Sequence, residues 1–242
     1  MNFSFIGDFF QIFLYQPLFN ALILIYNLLP GHDLGIAVIV LTAAIKLLTL
    51  PLNIKAFKLQ QAMARLQPRL KEVQKQFKDR PEEQAKAMSE VFKKERVNPL
   101  SSFVPLLIQF PILIALYQLF WQGLWSQGNH LYSFIVRPDV ISPDFLGIVD
   151  LSQPNLLMAV LAGLSQLVQS LVVPLNPGPV DKSDPKYQIT RMVQKQTIFL
   201  LPILTVFILL KLPSALGLYW LATSLLTAGQ QYFLDKKYQL SE

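Results

Sequence analysis

Apolar and polar positions fall in long blocks along this chain rather than alternating residue by residue. Five runs rich in Leu, Ile, Val, Ala and Phe cover 34–54, 99–124, 154–173, 197–211 and 214–234. Apolar runs of roughly 18 residues or more mark helices that cross a membrane. The fourth run is shorter, and Pro213 separates it from the fifth by a tight turn. Each run is bounded by polar or proline-rich sequence, so five spans fit the pattern better than three. Residues 8–29 are also apolar and aromatic, but Gln11, Gln16, Pro17, Asn20 and Asn27 interrupt them. That favours an amphipathic helix lying in the interface, within residues 1–33, over a sixth span.

Between the first two spans the period changes. Leu59, Met63, Leu66, Leu70, Val73 and Phe77 recur at alternating steps of four and three, which is a heptad seam. Asp79-Arg80-Pro81 supplies a turn, and Pro81 suits the first position of a new helix. Ala85, Met88 and Phe92 then offer an opposing stripe. Residues 55–98 are expected to fold as an antiparallel helical hairpin, bent at Pro68. It is either a linker that packs on itself or a surface that recruits clients or anionic lipid.

Composition agrees with the membrane reading. The 242 residues are 52% hydrophobic and 15% charged, with mean hydropathy +0.40, whereas soluble domains carry nearer a quarter charged residues. A net charge of +6 and an isoelectric point near 9.4 could suggest nucleic acid, but the placement of charge argues otherwise. Residues 55–98 hold 12 of the 21 Lys and Arg; 125–153 hold only Arg137; 174–196 hold four; 235–242 hold two. Basic loops stay cytoplasmic. The N-terminus and the 125–153 loop are therefore expected outside, with the hairpin, the 174–196 loop and the 235–242 tail inside.

Candidate chemistry is sparse. With no cysteine, disulfides, thiol catalysts, Cys-ligated zinc and a lipobox are excluded. His32 and His130 sit in expected loops and form no metal cluster. The N-terminus lacks the basic region of a secretory signal. No nucleophile–base pair, phosphate loop or internal repeat is present, so no enzyme activity, metal, cofactor or nucleic-acid ligand is expected.

One residue stands out. Lys46 lies in the middle of the first span, deeper than snorkelling fully relieves. A cation there costs roughly 2.5–3.5 kcal/mol on insertion scales. An internal salt bridge would offset it, yet none of the five spans contains Asp, Glu or His. Water and neutral dipoles remain, so the spans are expected to enclose a wet groove. Thr42, Lys46, Thr49 and Asn53 share one face of the first span at 100° per residue. Gln166, Gln169 and Ser170 share a face of the third, and Trp220, Thr223, Ser224, Thr227 and Gln231 share one of the fifth. Ser and Thr alone would suggest only helix packing; three stripes with an unpaired lysine point to a groove. A solute transporter with Lys46 as an anion site, or a scaffold with incidental polarity, are the alternatives.

The ordered blocks LTAAIKLLTLPL, LQPRLKEVQKQFK, VNPLSSFVPLLIQFPILIALYQ and LPSALGLYW resemble the YidC/Oxa/Alb membrane protein insertases, over about residues 17–234. The resemblance implies an all-α polytopic membrane protein of the short form. Five transmembrane helices would surround a hydrophilic groove open to cytoplasm and lipid, with a cytoplasmic hairpin after the first. It implies that Lys46 is the groove cation, at a position where the family usually has arginine. Lysine is a compact ammonium without the guanidinium fork or its near-unconditional charge. Trp220 matches a groove tryptophan and Gln169 a groove glutamine. Ser101-Ser102 stand where the family has Gly-Cys. The implied activity is insertion and chaperoning of newly made membrane proteins in the cell membrane. The ribosome and a Sec translocon are candidate partners, and lone action stays open.

Overall fold

The computed structural model describes residues 3–98, 104–124, 131–172 and 198–239. The expected loop 174–196 lies outside the described residues, as do 99–103, 125–130 and the end of the tail. A short helix α1 (Phe3–Phe10) continues through a π turn, Gln11–Tyr15, into α2 (Gln16–Leu28). Gly31 and His32, both at positive φ, reverse the chain. Asp33 then caps the next helix, its carboxylate accepting the Ile36 amide at 2.8 Å.

That helix, α3, runs from Leu34 to Gln76 without a break, through Pro51 and Pro68. The first apolar span and the first arm of the hairpin are one helix, and the composition shift at residue 55 falls inside it. Its 43 residues reach about 65 Å at 1.5 Å each, twice a hydrocarbon core of about 30 Å. Its far half must therefore project beyond a bilayer that its apolar half occupies.

Helix α4 (Pro81–Lys94) folds back on that projecting half. Pro81 opens it, Glu82 and Glu83 occupy its first turn and Lys93 and Lys94 its last, each matching the helix dipole. Leu66, Leu70 and Val97 form the centre of the hairpin, flanked by Ala62, Met63, Met88, Val91 and Phe92. Ala85, expected in the seam, is exposed instead, and Val91 takes its part. This small core is separate from the main one.

Next come α5 (Val104–Gln118) with a π turn at Leu119–Gly123, a two-stranded hairpin of β1 (Asp144–Phe145) and β2 (Val149–Asp150), and α6 (Leu156–Val172). Helices α7 (Ile198–Leu209) and α8 (Ser214–Gln239) complete the chain. α8 runs past residue 234, so the described part of the tail is helical. Its first donors are satisfied by the loop before α6: Ser214 and Ala215 amides donate to Gln153 and Leu151 carbonyls at 2.9 and 3.0 Å.

The main core joins α2, α3, α5, α6 and α8 at the end opposite the α3–α4 hairpin, with Phe19, Leu22, Ile23, Leu34, Val38, Leu116, Phe120, Leu151 and Leu216 fully buried. Outward, the helices present Leu47, Leu48, Leu107, Phe110, Leu164, Leu171, Phe199 and Phe207. Such a surface suits lipid rather than water. Gly7–Leu28 and Leu34–Gln76 contain stretches long and apolar enough to cross a membrane, and Leu107–Trp121, Leu156–Val172 and Ile198–Leu209 are shorter apolar helices.

Candidate functional site

α3, α5, α6 and α8 leave a partly open cavity of about 430 Å³ between them. From α3 it is lined by Ile45, Lys46, Thr49, Asn53, Ala56, Phe57 and Gln60; from α5 by Ile108, Gln109, Ile112 and Leu113. α6 contributes Gln166 and Gln169, and α8 contributes Tyr219, Trp220, Thr223, Ser224, Thr227, Gln230, Gln231 and Leu234. Lys46 to Gln60 is 14 residues of helix, so the cavity runs about 21 Å along the bundle.

One end lies beside the α3–α4 hairpin. The other stops at the level of Ile45, Lys46 and Tyr219, where a hydrogen bond from Gln109 Nε2 to Tyr219 Oη joins α5 to α8. Beyond it Leu41, Leu116 and Leu216 are buried in the main core. Lys46 therefore sits at the closed end of a passage whose wall is largely apolar but carries polar groups from α3, α6 and α8. It makes no ion pair or hydrogen bond among the described residues, and none of their carboxylates lines the cavity.

Ten of the twelve residues on the three sequence stripes line this one cavity, and Ser170, whose hydroxyl donates to Gln166 O at 2.9 Å, is one of the two that do not. Thr42 is the other: it is buried in the main core, and its hydroxyl donates to Val38 O at 2.6 Å. The other hydroxyls are also largely spent on their own helices. Thr49 donates to Ile45 O at 2.9 Å and Thr227 to Thr223 O at 2.6 Å. Cross-residue polarity comes instead from Asn53, whose Nδ2 reaches Thr49 Oγ1 at 3.3 Å, and from the glutamines. Gln166 Oε1 and Gln231 Oε1 are buried with no hydrogen-bond partner among the described residues. Buried polar atoms seldom stay so, and atoms that face a cavity are satisfied by water or by an occupant.

Sequence reasoning missed Gln109, Gln60, Tyr219 and Gln230. Gln109 carried a signal: it is the one polar side chain between Val104 and Leu116. The packing around the cavity is uneven. α8 packs closely on both α6 and α3, whereas α3 meets α5 only sparsely.

Comparison with known proteins gives a concordant result. The sequence model of the family described as 60Kd inner membrane protein matches residues 24–241. Curated relatives called membrane protein insertase YidC, from Francisella tularensis subsp. novicida (strain U112), subsp. holarctica (strain LVS) and subsp. tularensis (strain SCHU S4), are each 35% identical over 205 residues. The aligned part is 85% of this chain but 33% of each relative, so the chain spans about a third of their length.

Proposed function

The chain belongs to the 60Kd inner membrane protein family, that of the YidC insertases, and from that premise we propose that it is itself a membrane protein insertase and chaperone. Its clients are newly made membrane proteins. A client's short hydrophilic tail enters the cavity from the α3–α4 side, and acidic residues in the tail pair transiently with Lys46. The client's apolar segment leaves into lipid along α5, which packs only sparsely on the other helices that wall the cavity. No nucleotide site is needed, because hydrophobic partitioning drives the transfer, assisted by the membrane potential on acidic tails.

The observation that carries this reading is Lys46, without an ion pair among the described residues, at the closed end of a cavity whose largely apolar wall is dotted with glutamine, asparagine and hydroxyl groups. A buried ammonium without a counter-ion is stable only where water or an incoming anion solvates it. The passage shortens the apolar barrier that a tail must cross: its part from Lys46 to the end of the span at residue 54 covers about 12 Å of a hydrocarbon core of about 30 Å.

The proposed topology places the α3–α4 hairpin and the end of α8 in the cytoplasm, and the β1–β2 loop outside. The Lys and Arg asymmetry supports it. α1 and α2 lie in the outer interface. In support, Asn20, Tyr26 and Asn27 of α2 all bond to residues 132–142 of the loop, so this helix follows the loop rather than descending from it. The hairpin serves recruitment, with the ribosome and a Sec translocon as candidate partners.

Photocrosslinking tests the reading. A photoreactive residue at Gln169 or Thr223 is expected to capture a nascent single-span client in membrane vesicles. Capture only from a lipid-facing position such as Leu47, with none from the cavity, would overturn it.

A further inference from the structure

The loop between α5 and α6 has an unusual surface. Phe134, Val136, Val140 and Ile148 are 74 to 80% exposed, and Leu146 is 59% exposed. Isolated exposed apolar side chains are ordinary, but five on one short connection are not. A slack loop would fold them inward. This one is tied down: Asn20 Oδ1 accepts the Tyr132 amide at 2.7 Å, Asn27 Nδ2 donates to Val136 O at 2.7 Å, and Tyr26 Oη accepts the Ser142 amide at 3.1 Å. Asp33 Oδ2 accepts the Leu146 amide at 2.6 Å, holding that leucine at φ 54, a conformation that side chains other than glycine seldom adopt. A bonded frame thus keeps the apolar side chains turned out.

Their level in the bundle follows from the same contacts. Leu146 is bonded to the residue that caps α3, and the apolar stretch of α3 begins at the next residue, Leu34. The β1–β2 tip therefore sits where that stretch meets its boundary. Arg137, Asp139 and Asp144 are interspersed with the apolar residues along this segment, so polar and apolar side chains alternate on the loop. That mixture matches the headgroup–acyl boundary of a bilayer, where both kinds of partner are present.

We propose that residues 134–148 form an interfacial anchor whose Phe134, Val136, Val140 and Ile148 side chains enter the outer-leaflet surface. The anchor fixes the depth of the closed end of the bundle, and with it the depth of Lys46 in the membrane. This rests on the outward placement of the loop proposed above.

The chain has no cysteine, so single labelling sites can be placed directly. Phe134→Cys, Ile148→Cys and Asp139→Cys, each carrying an environment-sensitive fluorophore, go into vesicles of phosphatidylethanolamine and phosphatidylglycerol. Labels at 134 and 148 are expected to emit to the blue of the label at 139, to be quenched by headgroup-region nitroxide lipids, and to resist aqueous iodide. Equal iodide quenching at all three sites would overturn the anchor. Protection from iodide without quenching by nitroxide lipids would also overturn it, because protein rather than lipid would then cover the strip. In vesicles that enclose the cytoplasmic face, iodide added outside reaches the 139 label if the topology holds. Access only from trapped iodide would refute the topology, while the depth of 134 and 148 is read independently.

Discussion

Asp33 and Leu146 lie 113 residues apart and meet in a 2.6 Å hydrogen bond, from the leucine amide to one carboxylate oxygen of the aspartate. The other oxygen accepts the Ile36 amide at 2.8 Å. One side chain therefore starts the long helix α3 and pins the β1–β2 turn over the closed end of the bundle. Gly35 makes the same junction tight, since a Cβ there would run into the Phe145 ring.

Asp33→Ala is expected to lower stability by about 2 kcal/mol, combining a lost helix cap with an amide left without its acceptor. Asp33→Asn keeps one acceptor oxygen and should fall between wild type and alanine. Thermal unfolding of the detergent-solubilised protein measures both. An alanine variant with unchanged Tm would mean that the bridge contributes nothing.

Two helical glycines give an internal comparison. A Cβ on Gly163 would collide with Val206 Cγ2 and stand 3.1 Å from the Pro202 carbonyl oxygen, so α6 and α7 touch through it. A Cβ on Gly229 in α8 would meet nothing within 4 Å. Gly163→Ala should therefore cost about 1–3 kcal/mol through forced repacking, whereas Gly229→Ala should be neutral or add up to about 1 kcal/mol through helix propensity. Equal Tm values for the two variants would contradict the close α6–α7 contact.

The α3–α4 hairpin has its own small core around Leu66, Leu70 and Val97, separate from the main one. Two of its ion pairs, Arg69 with Glu95 and Arg80 with Glu83, are solvent-exposed and contribute little. Replacing residues 61–96 with a short Gly-Ser linker should leave a folded, membrane-inserted bundle with reduced insertion of clients. The two readouts are Tm with helical circular dichroism for the fold, and protease protection of a client for activity. Loss of the folded bundle would show that the hairpin is structural.

How far the sequence could be read depended on the range of the interaction. The polar stripes were legible because a Lys, Asn or Gln in an apolar helix is conspicuous wherever it points. Thr42 fell on the same arc as Lys46 yet lies outside the cavity, because helical periodicity gives direction around the axis and not where a cavity ends along it. That α3 runs unbroken past residue 55 was not legible for a related reason. Backbone hydrogen bonding continues past a change from apolar to basic side chains, and even past Pro51 and Pro68. The loop carried no readable chemistry because its bonds to Asn20, Tyr26, Asn27 and Asp33 join positions more than 100 residues apart. Tyr219 was hidden differently: in sequence it is one more aromatic in an apolar run, and only its bond to Gln109 reveals it.

Lys46 gives the sharpest test of mechanism. It has no partner to strand among the described residues, so Lys46→Arg, Lys46→Ala and Lys46→Glu should all fold. Arginine keeps the charge and should keep the activity. Alanine should impair clients whose translocated tails carry acidic residues and spare those with neutral tails. Glutamate should be worse for acidic tails, because like charges 4 Å apart repel by roughly 4 kcal/mol at an effective dielectric of 20. Protease protection of translocated tails in proteoliposomes, across clients with no, one and two acidic residues, reads the difference. The deficit should grow with each acidic residue and shrink as salt is raised, to the extent that ions enter the cavity. A uniform deficit across all tails would assign Lys46 to hydration of the cavity rather than to pairing. Wild-type behaviour of both alanine and glutamate on every client would leave the cation without a part in insertion.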